Sequence, residues 1–270
     1  MMINPSLIAV RGAGDLATGV IVRLMRCGYR VIALETACPS VIRRTVALAE
    51  AVPEGRCAVE GVTGLLVADP AEALRASADG LVAVLVDPEL SSLGQLRPAA
   101  LVDAIIAKRN CGTDIGLAPV VIGLGPGFEA GVDVHAVVET NRGHDLGRVF
   151  LEGQAAPDTG VPGVIAGYGK ERVIRAPCAG TVEPLLEIGD LVAAGAPLAR
   201  LRGVTEAVVS APFAGIVRGM IRPGFLAPAG FKIADVDPRC ERDNCFTVSD
   251  KARAIAGGVL EALLAFGIRP

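Results

Sequence analysis

Short hydrophobic runs alternate with helical patterns along the first 168 residues of the chain. Apolar runs bounded by Gly, Pro and charged residues predict buried strands, and apolar residues at helical spacing predict helices. The predicted strands are 6–10, 29–35, 58–62, 65–68, 81–87, 101–110 and 120–124. Helices are predicted from 15 to about 27, over 39–51 and over 70–76. Strands that alternate with helices predict an α/β domain with a Rossmann-like, mostly parallel sheet.

Residues 169–239 follow a different pattern, because they contain an internal repeat. The phrase A-P-x-A-G-x-V at 176–182 recurs at 211–217, and the same offset of 35 positions relates Leu191 to Leu226. Each half is too small to bury its own hydrophobic face, so the two halves must pack together. The phrase GDLVAAGAPLARL at 189–201 resembles biotinyl and lipoyl carrier domains. We therefore expect a small all-β barrel-sandwich hybrid.

Carrier domains present a modified Lys on the hairpin between their halves. The corresponding hairpin here, 202–207, contains no Lys. We therefore expect this domain to serve as a rigid docking or lid domain, with no covalent carrier role.

The C-terminal segment returns to a helical pattern. Ser249 is a plausible N-cap, and apolar residues follow it at helical spacing as far as Leu264. Such a stripe indicates core packing, so this helix should dock onto the α/β domain. The predicted domains are an α/β domain at 1–168 that 240–270 completes, and the all-β domain at 169–239.

The turn after the first strand matches G-x-G-x-x-A, the dinucleotide-binding fingerprint in its Ala form. Glycine permits the tight turn and the approach of a phosphate to the backbone, and an acid at the end of the second strand can hold a ribose hydroxyl. The alternative is that these glycines only permit a tight turn. The candidate cofactor contacts in this unit are Arg11, Gly12, Gly14, Asp15, Ala17 and Glu35.

The stretch 119–153 combines a glycine-rich loop, both histidines of the chain and a polar cluster. Strand ends that open into glycine loops commonly hold ligands in α/β proteins. The alternative is that the polar residues only form turns. The candidate cofactor contacts here and at the end of the preceding strand are Lys108, Arg109, Gly125, Gly127, Asn141 and Arg142. The candidate acid–base groups are His135, Glu139 and His144.

Cys111 is a candidate reactive thiol, because it follows Lys108 and Arg109, whose charges would lower its pKa. The alternative is an ordinary buried Cys. Cys240 and Cys245 lack a second close pair or a neighbouring His, so they do not form a zinc signature and no metal site is predicted.

Composition excludes several classes of protein. The net charge of −3 and the small number of aromatic residues, 3%, argue against nucleic-acid binding. The N-terminal residues do not form a signal peptide, and the longest apolar stretch, near 252–268, is interrupted by Glu261. The seven cysteines are scattered through a chain with a large core, as is typical of reduced thiols. We expect a cytoplasmic protein that does not bind membranes.

Several long phrases resemble the YqeB family, accessory proteins of the selenium-dependent molybdenum hydroxylase system. They are RGAGDLATG, ETACPSVIRRTVALAEAV, LVDAIIAKRN, VIGLGPGFEAGVDVHAVVETNRGHDLGRV and SDKARAIAGGVLEA, which together extend from Arg11 to Ala262. The resemblance implies a role in maturing a molybdenum hydroxylase, and a Rossmann-like domain similar to that of XdhC-type molybdenum cofactor chaperones. It implies no catalytic residues.

The leading hypothesis is an accessory factor that binds a nucleotide or a phosphate-bearing, molybdopterin-type cofactor in the α/β crevice. Its partners would be a molybdenum hydroxylase or other maturation proteins. One alternative is an NAD(P)-dependent oxidoreductase, and another is a non-catalytic protein-interaction scaffold. The choice between a molybdopterin dinucleotide and NAD(P), the existence of a reaction and the formation of a homo-oligomer stay open.

Overall fold

A computed structural model describes residues 6–161 and 163–270. The chain divides into two compact units. Unit 1 contains the residues through Pro39, Ala47–Thr159 and Val248–Pro270, and unit 2 contains Ser40–Val46 and Gly160–Thr247. Within the described ranges, no helix is long and apolar enough to cross a membrane.

The elements are numbered along the chain. The helices are α1 Asp15–Arg26, α2 Ala51–Glu54, α3 Pro70–Ala78, α4 Leu93–Leu96, α5 Asp243–Phe246 and α6 Asp250–Ala265. The strands of unit 1 are β1 Leu7–Arg11, β2 Arg30–Glu35, β3 Arg56–Val59, β4 Val62–Val67, β5 Val82–Val86, β6 Ala100–Asp103, β7 Val120–Leu124, β8 Glu129–Ala130, β9 Ala136–Val138, β10 Val149–Phe150 and β11 Gly153–Gln154. Those of unit 2 are β12 Val173–Arg175, β13 Gly180–Pro184, β14 Leu191–Val192, β15 Pro197–Arg202, β16 Ala207–Ser210, β17 Gly215–Met220, β18 Leu226–Ala227 and β19 Lys232–Asp237. Single turns of 3-10 helix occur at Arg44–Val46, Leu48–Glu50, Ile115–Leu117 and Lys170–Arg172.

Unit 1 is built on a nine-stranded sheet with the order β10-β9-β7-β6-β1-β2-β5-β4-β3. The inner strands pair in parallel, and the edge strands β3 and β10 run antiparallel to their neighbours. Because β2 lies on one side of β1 and β6 on the other, the strand order reverses at β1. In open α/β sheets, such a reversal opens a crevice at the carboxyl ends of the strands.

Both faces of this sheet are buried, which explains the uninterrupted apolar runs. One face packs against α3 and α4, with Leu34, Leu85 and Leu101 in its core. Helices α1 and α6 contact the sheet and each other. A Cβ built on Gly19 would lie 2.6 Å from the Cβ of Ala252, so α1 and α6 approach closely because residue 19 lacks a side chain.

The capped C-terminal helix is confirmed, because the Ser249 side chain accepts a hydrogen bond from the Ala252 N–H at 3.2 Å. Two other predicted elements are wrong. The strand predicted over 101–110 stops at Asp103, because Ile106 and Lys108 have positive φ, 53° and 63°, which no strand accommodates.

The helix predicted over 39–51 is replaced by irregular chain and two 3-10 turns. The carbonyl oxygen of Ile42 accepts a hydrogen bond from the Met220 N–H at 2.7 Å. Tertiary pairing inside unit 2 therefore uses backbone that a helix would need for its own hydrogen bonds.

Unit 2 contains two four-stranded antiparallel sheets, β12-β19-β17-β14 and β16-β15-β13-β18. Its core lies between them and includes Val182, Leu201, Val217 and Val236. Each half of the sequence repeat contributes strands to both sheets.

The expected fold class, a Rossmann-like mostly parallel sheet plus a barrel-sandwich hybrid, is wrong. The chain is α/β with one large mixed sheet, a two-stranded sheet and two four-stranded antiparallel sheets. In unit 2, the hydrogen-bonded ladders of the described residues end in separate sheets and form no clear barrel-sandwich hybrid. Residues 40–46, which come from far earlier in the chain, are also part of this unit. The sequence repeat could not reveal their contribution.

Candidate functional site

The carboxyl ends of the parallel strands in unit 1 meet along one edge of the sheet. In register, Arg11 at the end of β1 lies beside Leu34 of β2 and Asp103 of β6, and Leu124 of β7 lies beside Val138 of β9. The loops that follow these strands contain most of the candidate residues. The α/β fold therefore brings distant parts of the chain to one edge.

The Arg11 side chain is buried in a polar network under this edge. Its Nη1 lies 3.2 Å from Asp103 Oδ2 and donates to Thr113 Oγ1 at 3.0 Å. Its Nη2 donates to the carbonyl oxygens of Pro88 and Cys111 at 3.1 and 3.0 Å. The bonds to Thr113 and Cys111 hold the loop that follows β6, and the bond to Pro88 holds the loop that follows β5, so Arg11 positions both loops in this structure.

The Glu35 carboxylate also accepts hydrogen bonds from the backbone. Its Oε2 accepts from the Ala13 N–H at 2.8 Å and its Oε1 from the Thr36 N–H at 2.7 Å. The side chain is buried, with 8% relative exposure. The acid expected to hold a ribose hydroxyl therefore tethers the first glycine loop, with two of its lone-pair positions already used.

The first glycine loop leads directly into α1. Gly12 has a φ of +95°, and Gly14 caps the helix in extended backbone, with no side-chain capping bond. The N-terminal N–H groups of a helix point outward and favour anions. Ala17 is buried in the first turns, and Asp15 occupies the first position of the helix. This end of α1 is suited to a phosphate.

Neighbouring residues of the same chain occupy the space beside the second glycine loop. A Cβ on Gly127 would lie 2.5 Å from Arg109 Cα, and one on Gly125 would collide with Thr140 Oγ1. The Gly125 N–H donates to the Val138 carbonyl at 2.8 Å. Here the glycines accommodate neighbouring chain.

The Glu139 carboxylate organises the loop after β9. Its Oε1 accepts from the N–H groups of Thr140 and Asn141, both at 2.7 Å, and its Oε2 accepts from the Ala156 N–H at 2.7 Å. The side chain of Glu139 is buried, whereas Asn141 is exposed. In this structure Glu139 is an acceptor that shapes the loop.

The two histidines lie apart. His135 precedes β9, at the amino edge of the sheet, where its Nδ1 accepts from the Val121 N–H at 3.0 Å. Its ring makes an edge contact with Phe266, with 5.8 Å between centroids. His144 is exposed on the loop after β9. The fold thus brings His144 and the crevice loops to the same edge and leaves His135 at the other.

The loop after β6 contains Lys108, Arg109 and Cys111. The exposed Lys108 ammonium pairs with Asp158 at 2.9 Å, and Arg109 is also exposed. Cys111 is partly buried, and its Sγ lies 3.7 Å from the Arg109 carbonyl oxygen. Two cations and a thiol therefore lie on the loop that Arg11 holds.

Arg142 connects the loop after β9 to the start of α6. Its Nη1 and Nη2 bind Asp250 Oδ2 and Oδ1 at 2.8 and 2.9 Å, a bidentate pair. The next residue, Lys251, is half-buried. Burial lowers the pKa of Lys251 below its ordinary value, and the charge of Arg142 lowers it further. The charges of Asp15 and Glu139 raise this pKa, and the charge of Lys108 lowers it, each by a smaller amount.

Lys251 is the residue of this site that the sequence analysis missed. The charges that act on its pKa belong to α1 and to the loops after β6 and β9. A signal existed in the sequence. A cation in the first turn of a helix opposes the helix dipole, so Lys251, two positions after the Ser249 cap, is locally unfavourable.

Within residues 6–161 and 163–270, no group of three or more His, Cys, Asp or Glu side chains is arranged to hold a metal ion. The cations near the crevice are Lys251, Arg142 and Lys108, and the last two are paired with Asp250 and Asp158.

The chain is 50% identical, over 98% of its length, to the uncharacterized protein YqeB of Escherichia coli strain K12. The chain belongs to the YqeB family. It spans about half, 49%, of the length of the curated relative that it matches. The resemblance found in the sequence is confirmed, whereas the link to selenium and molybdenum hydroxylases is not part of this finding.

No family model matches the chain. Solved structures to which it is similar include an aspartoacylase family protein from Mesorhizobium loti, with 11% identity, a TM-score of 0.28, and coverage of 87% of this chain and 85% of that one. Another is the ectoine utilization protein EutE (DoeB) from Ruegeria pomeroyi, with 12% identity, a TM-score of 0.25, and coverage of 85% and 56%. TM-scores this low do not establish a shared fold.

Proposed function

We propose that the crevice of unit 1 binds a nucleotide or a phosphate-bearing, molybdopterin-type cofactor. The protein would serve as a cytoplasmic accessory factor in the maturation of a selenium-dependent molybdenum hydroxylase. The observation that supports the ligand class is the half-buried Lys251 ammonium. It lies within electrostatic reach of Arg142, Lys108 and the start of α1.

Partial burial of the Lys251 ammonium near the charge of Arg142 is unfavourable, and a bound anion would offset this cost. The N-terminus of α1 adds outward N–H groups and the positive end of a helix dipole. Helices α1 and α6 pack closely near their first turns, through Gly19 and Ala252, so the start of α6 adds a second such dipole. A phosphate or pyrophosphate is the anion that suits this set of donors.

These hydrogen-bond donors and cations recognise a phosphate and do not distinguish one nucleotide cofactor from another. Lys251, Arg142 and the α1 amides fit the phosphate part of a molybdopterin dinucleotide as well as that of NAD(P). The engagement of Glu35 with Ala13 and Thr36 reduces what it can offer to a ribose. The maturation role itself rests on the resemblance to the YqeB family.

The test of this function is calorimetric titration of the purified protein and of the variant Gly14→Asp. The ligands would be molybdopterin cytosine dinucleotide, NAD, NADP, FAD, AMP and CTP. Gly14 has an ordinary φ of −65°, so Asp fits its backbone and caps α1. Its carboxylate then occupies the anion position, and we expect affinity for the phosphate ligand to fall at least about tenfold.

The control is Ala78→Asp, which adds the same charge at the exposed end of α3 before β5, on the opposite edge of the sheet. It should leave affinity unchanged. Binding of the molybdopterin dinucleotide that Gly14→Asp removes would support the proposal. Binding of NAD or NADP alone would favour the oxidoreductase, and no binding of any of these ligands would contradict the phosphate site.

A further inference from the structure

Lysine is rare in this chain. The 26 cationic residues comprise 22 arginines and only four lysines, which are Lys108, Lys170, Lys232 and Lys251. An arginine stays protonated in proteins, whereas a lysine can release its proton when it is partly buried. A half-buried lysine can therefore supply a neutral amine, which an arginine at the same position cannot.

The residues on either side of Lys251 are held by two different elements. The Arg142 guanidinium donates two hydrogen bonds to Asp250, at 2.8 and 2.9 Å, so the residue before Lys251 is bound to the loop after β9. A Cβ built on Gly19 would lie 2.6 Å from the Cβ of Ala252, so the residue after Lys251 is packed against α1. These contacts fix the backbone of Lys251 without regard to its charge.

Helices α1 and α6 run in the same direction. Gly19 meets Ala252 near their starts, and beyond their ends the Tyr29 hydroxyl donates to the Ile268 carbonyl at 2.9 Å. The N-termini of the two helices are therefore neighbours, and Lys251 lies in the first turn of α6. This places the lysine close to the proposed phosphate site at the start of α1.

The amine of Lys251 is not used by the fold. Its half-buried side chain makes no hydrogen bond or ion pair with any residue that the structure describes. The other two cations near the crevice are paired, Arg142 with Asp250 at 2.8 Å and Lys108 with Asp158 at 2.9 Å. Burial and the charge of Arg142 lower the pKa of Lys251 below its ordinary value, so more of this amine is neutral at a given pH than in an exposed lysine.

We propose that the Lys251 amine forms an imine with the carbonyl group of a phosphate-bearing aldehyde or ketone. The inference goes beyond the accessory role and rests on the phosphate site proposed above, which would hold the phosphate of this ligand. An arginine at position 251 would serve a phosphate equally well, whereas attack on a carbonyl carbon requires a neutral amine. Partial desolvation and a neighbouring cation are the usual means of activating a lysine for this reaction.

Imine formation needs no oxidant or further reactant. The lone pair of the neutral amine forms the N–C bond while the carbonyl π pair moves to oxygen, and one amine proton passes through solvent to that oxygen to give a carbinolamine. The C–O bond then breaks, the nitrogen lone pair completes the C=N bond, and the departing hydroxide takes up a solvent proton. The products are a protonated imine and one water, and the charge of the imine is stabilised by a nearby phosphate.

Two aldehydes test this inference, pyridoxal 5′-phosphate and pyridoxal, which lacks the phosphate. Each is incubated with the full protein, sodium borohydride reduces any imine to a stable secondary amine, and peptide mass spectrometry measures the adduct at each lysine. The measured quantity is the ratio of adduct on Lys251 to adduct on the exposed Lys170, because this ratio cancels the different reactivities of the aldehydes. We expect a ratio of at least about ten with pyridoxal 5′-phosphate, and a severalfold lower ratio with pyridoxal.

Three variants separate the amine from the phosphate site. Lys251→Arg keeps a cation but removes the amine, so the adduct at this position should disappear. Gly14→Asp should lower the ratio for pyridoxal 5′-phosphate to the value for pyridoxal, because its carboxylate occupies the anion position. Ala78→Asp, which adds the same charge at the opposite edge of the sheet, should leave the ratio unchanged. Circular dichroism melting verifies that each variant is folded.

The outcomes distinguish this inference from the proposed phosphate site. A ratio of one or less with pyridoxal 5′-phosphate, or adduct mainly on Lys108, would overturn the inference. Calorimetric binding of pyridoxal 5′-phosphate that Gly14→Asp removes would, in that case, leave the phosphate site standing. Equal ratios above one with the two aldehydes would instead support the reactive amine and contradict the phosphate site.

Discussion

The two glycine loops of unit 1 have similar sequences and different surroundings. The first, after β1, leads into the N-terminus of α1, where Gly14 provides no side-chain cap. The second, after β7, is packed against the backbone of Arg109 and the side chain of Thr140. Both loops have glycines with positive φ, Gly12 at +95° and Gly127 at +106°.

Glycine signals that something approaches the backbone closely, and the sequence does not say what. At the second loop, the neighbour is another loop of the same chain. At the first loop, the neighbour is the N-terminus of α1, where we propose that a phosphate binds. The surroundings of a loop, more than its glycines, therefore distinguish a candidate binding loop from a packing loop.

Arg11 connects the two loops, and its substitution should lower the free energy of unfolding more than the other substitutions considered below. It precedes Gly12, and its hydrogen bonds to Thr113 and Cys111 hold the loop against which Gly127 packs. In Arg11→Met, the buried Asp103 carboxylate loses its ion pair. The free energy of unfolding should fall by about 3–5 kcal/mol, measured by urea denaturation.

The matched variant is the double substitution Arg11→Met, Asp103→Leu, which removes both charges and should recover part of the loss. Unchanged stability in Arg11→Met together with a loss of phosphate binding would place Arg11 at the ligand.

A substitution in the second glycine loop should cause the next largest fall in the free energy of unfolding. Gly127→Ala introduces a Cβ only 2.5 Å from the Arg109 backbone, at a φ of +106°. Crowding and backbone strain together should lower the free energy of unfolding by about 2–4 kcal/mol, measured by urea denaturation.

Gly131→Ala is the control for this substitution. Gly131 also has positive φ, +83°, but a Cβ there meets nothing within 4 Å. It should cost only about 1–2 kcal/mol. Equal losses for the two variants would show that backbone strain alone matters and that the second loop is not tightly packed.

Local patterns predicted much of unit 1. The run VVIGL forms β7 over Val120–Leu124, and Ser249 caps α6, since these features depend on hydrophobicity and on residues close in sequence. The strand predicted beyond Asp103 was wrong, because the apolar composition of this segment did not reveal that Ile105 would be 38% exposed in a loop.

The candidate site was harder to predict because its contacts are distant in sequence. Arg11 and Asp103 are separated by 92 positions, and Arg142 and Asp250 by 108. No local pattern shows that a carboxylate or a backbone amide already engages a candidate ligand residue such as Glu35. The misfit of Lys251 with the helix dipole was local, and it could have been found from the sequence.

Lys251 should have the smallest effect on stability and the clearest dependence on pH. Burial and the charge of Arg142 lower its pKa in the folded protein, so the folded state binds this proton less strongly than the unfolded state. The free energy of unfolding should therefore rise with pH between the lowered pKa and the ordinary value of 10.5. Below both values, the full penalty of the charge remains.

Lys251→Met removes that penalty, so it should raise the free energy of unfolding at neutral pH by roughly 0.5 kcal/mol or less. It should also remove this contribution to the rise at alkaline pH, and weaken phosphate binding. Urea denaturation from pH 7 upward measures both effects on stability, with the exposed Lys170→Met as the control. A loss of stability in Lys251→Met, with an unchanged pH profile, would show that the ammonium is already neutralised by Asp15 and Glu139. The first loop would then lack the unneutralised cation that the proposed phosphate site requires.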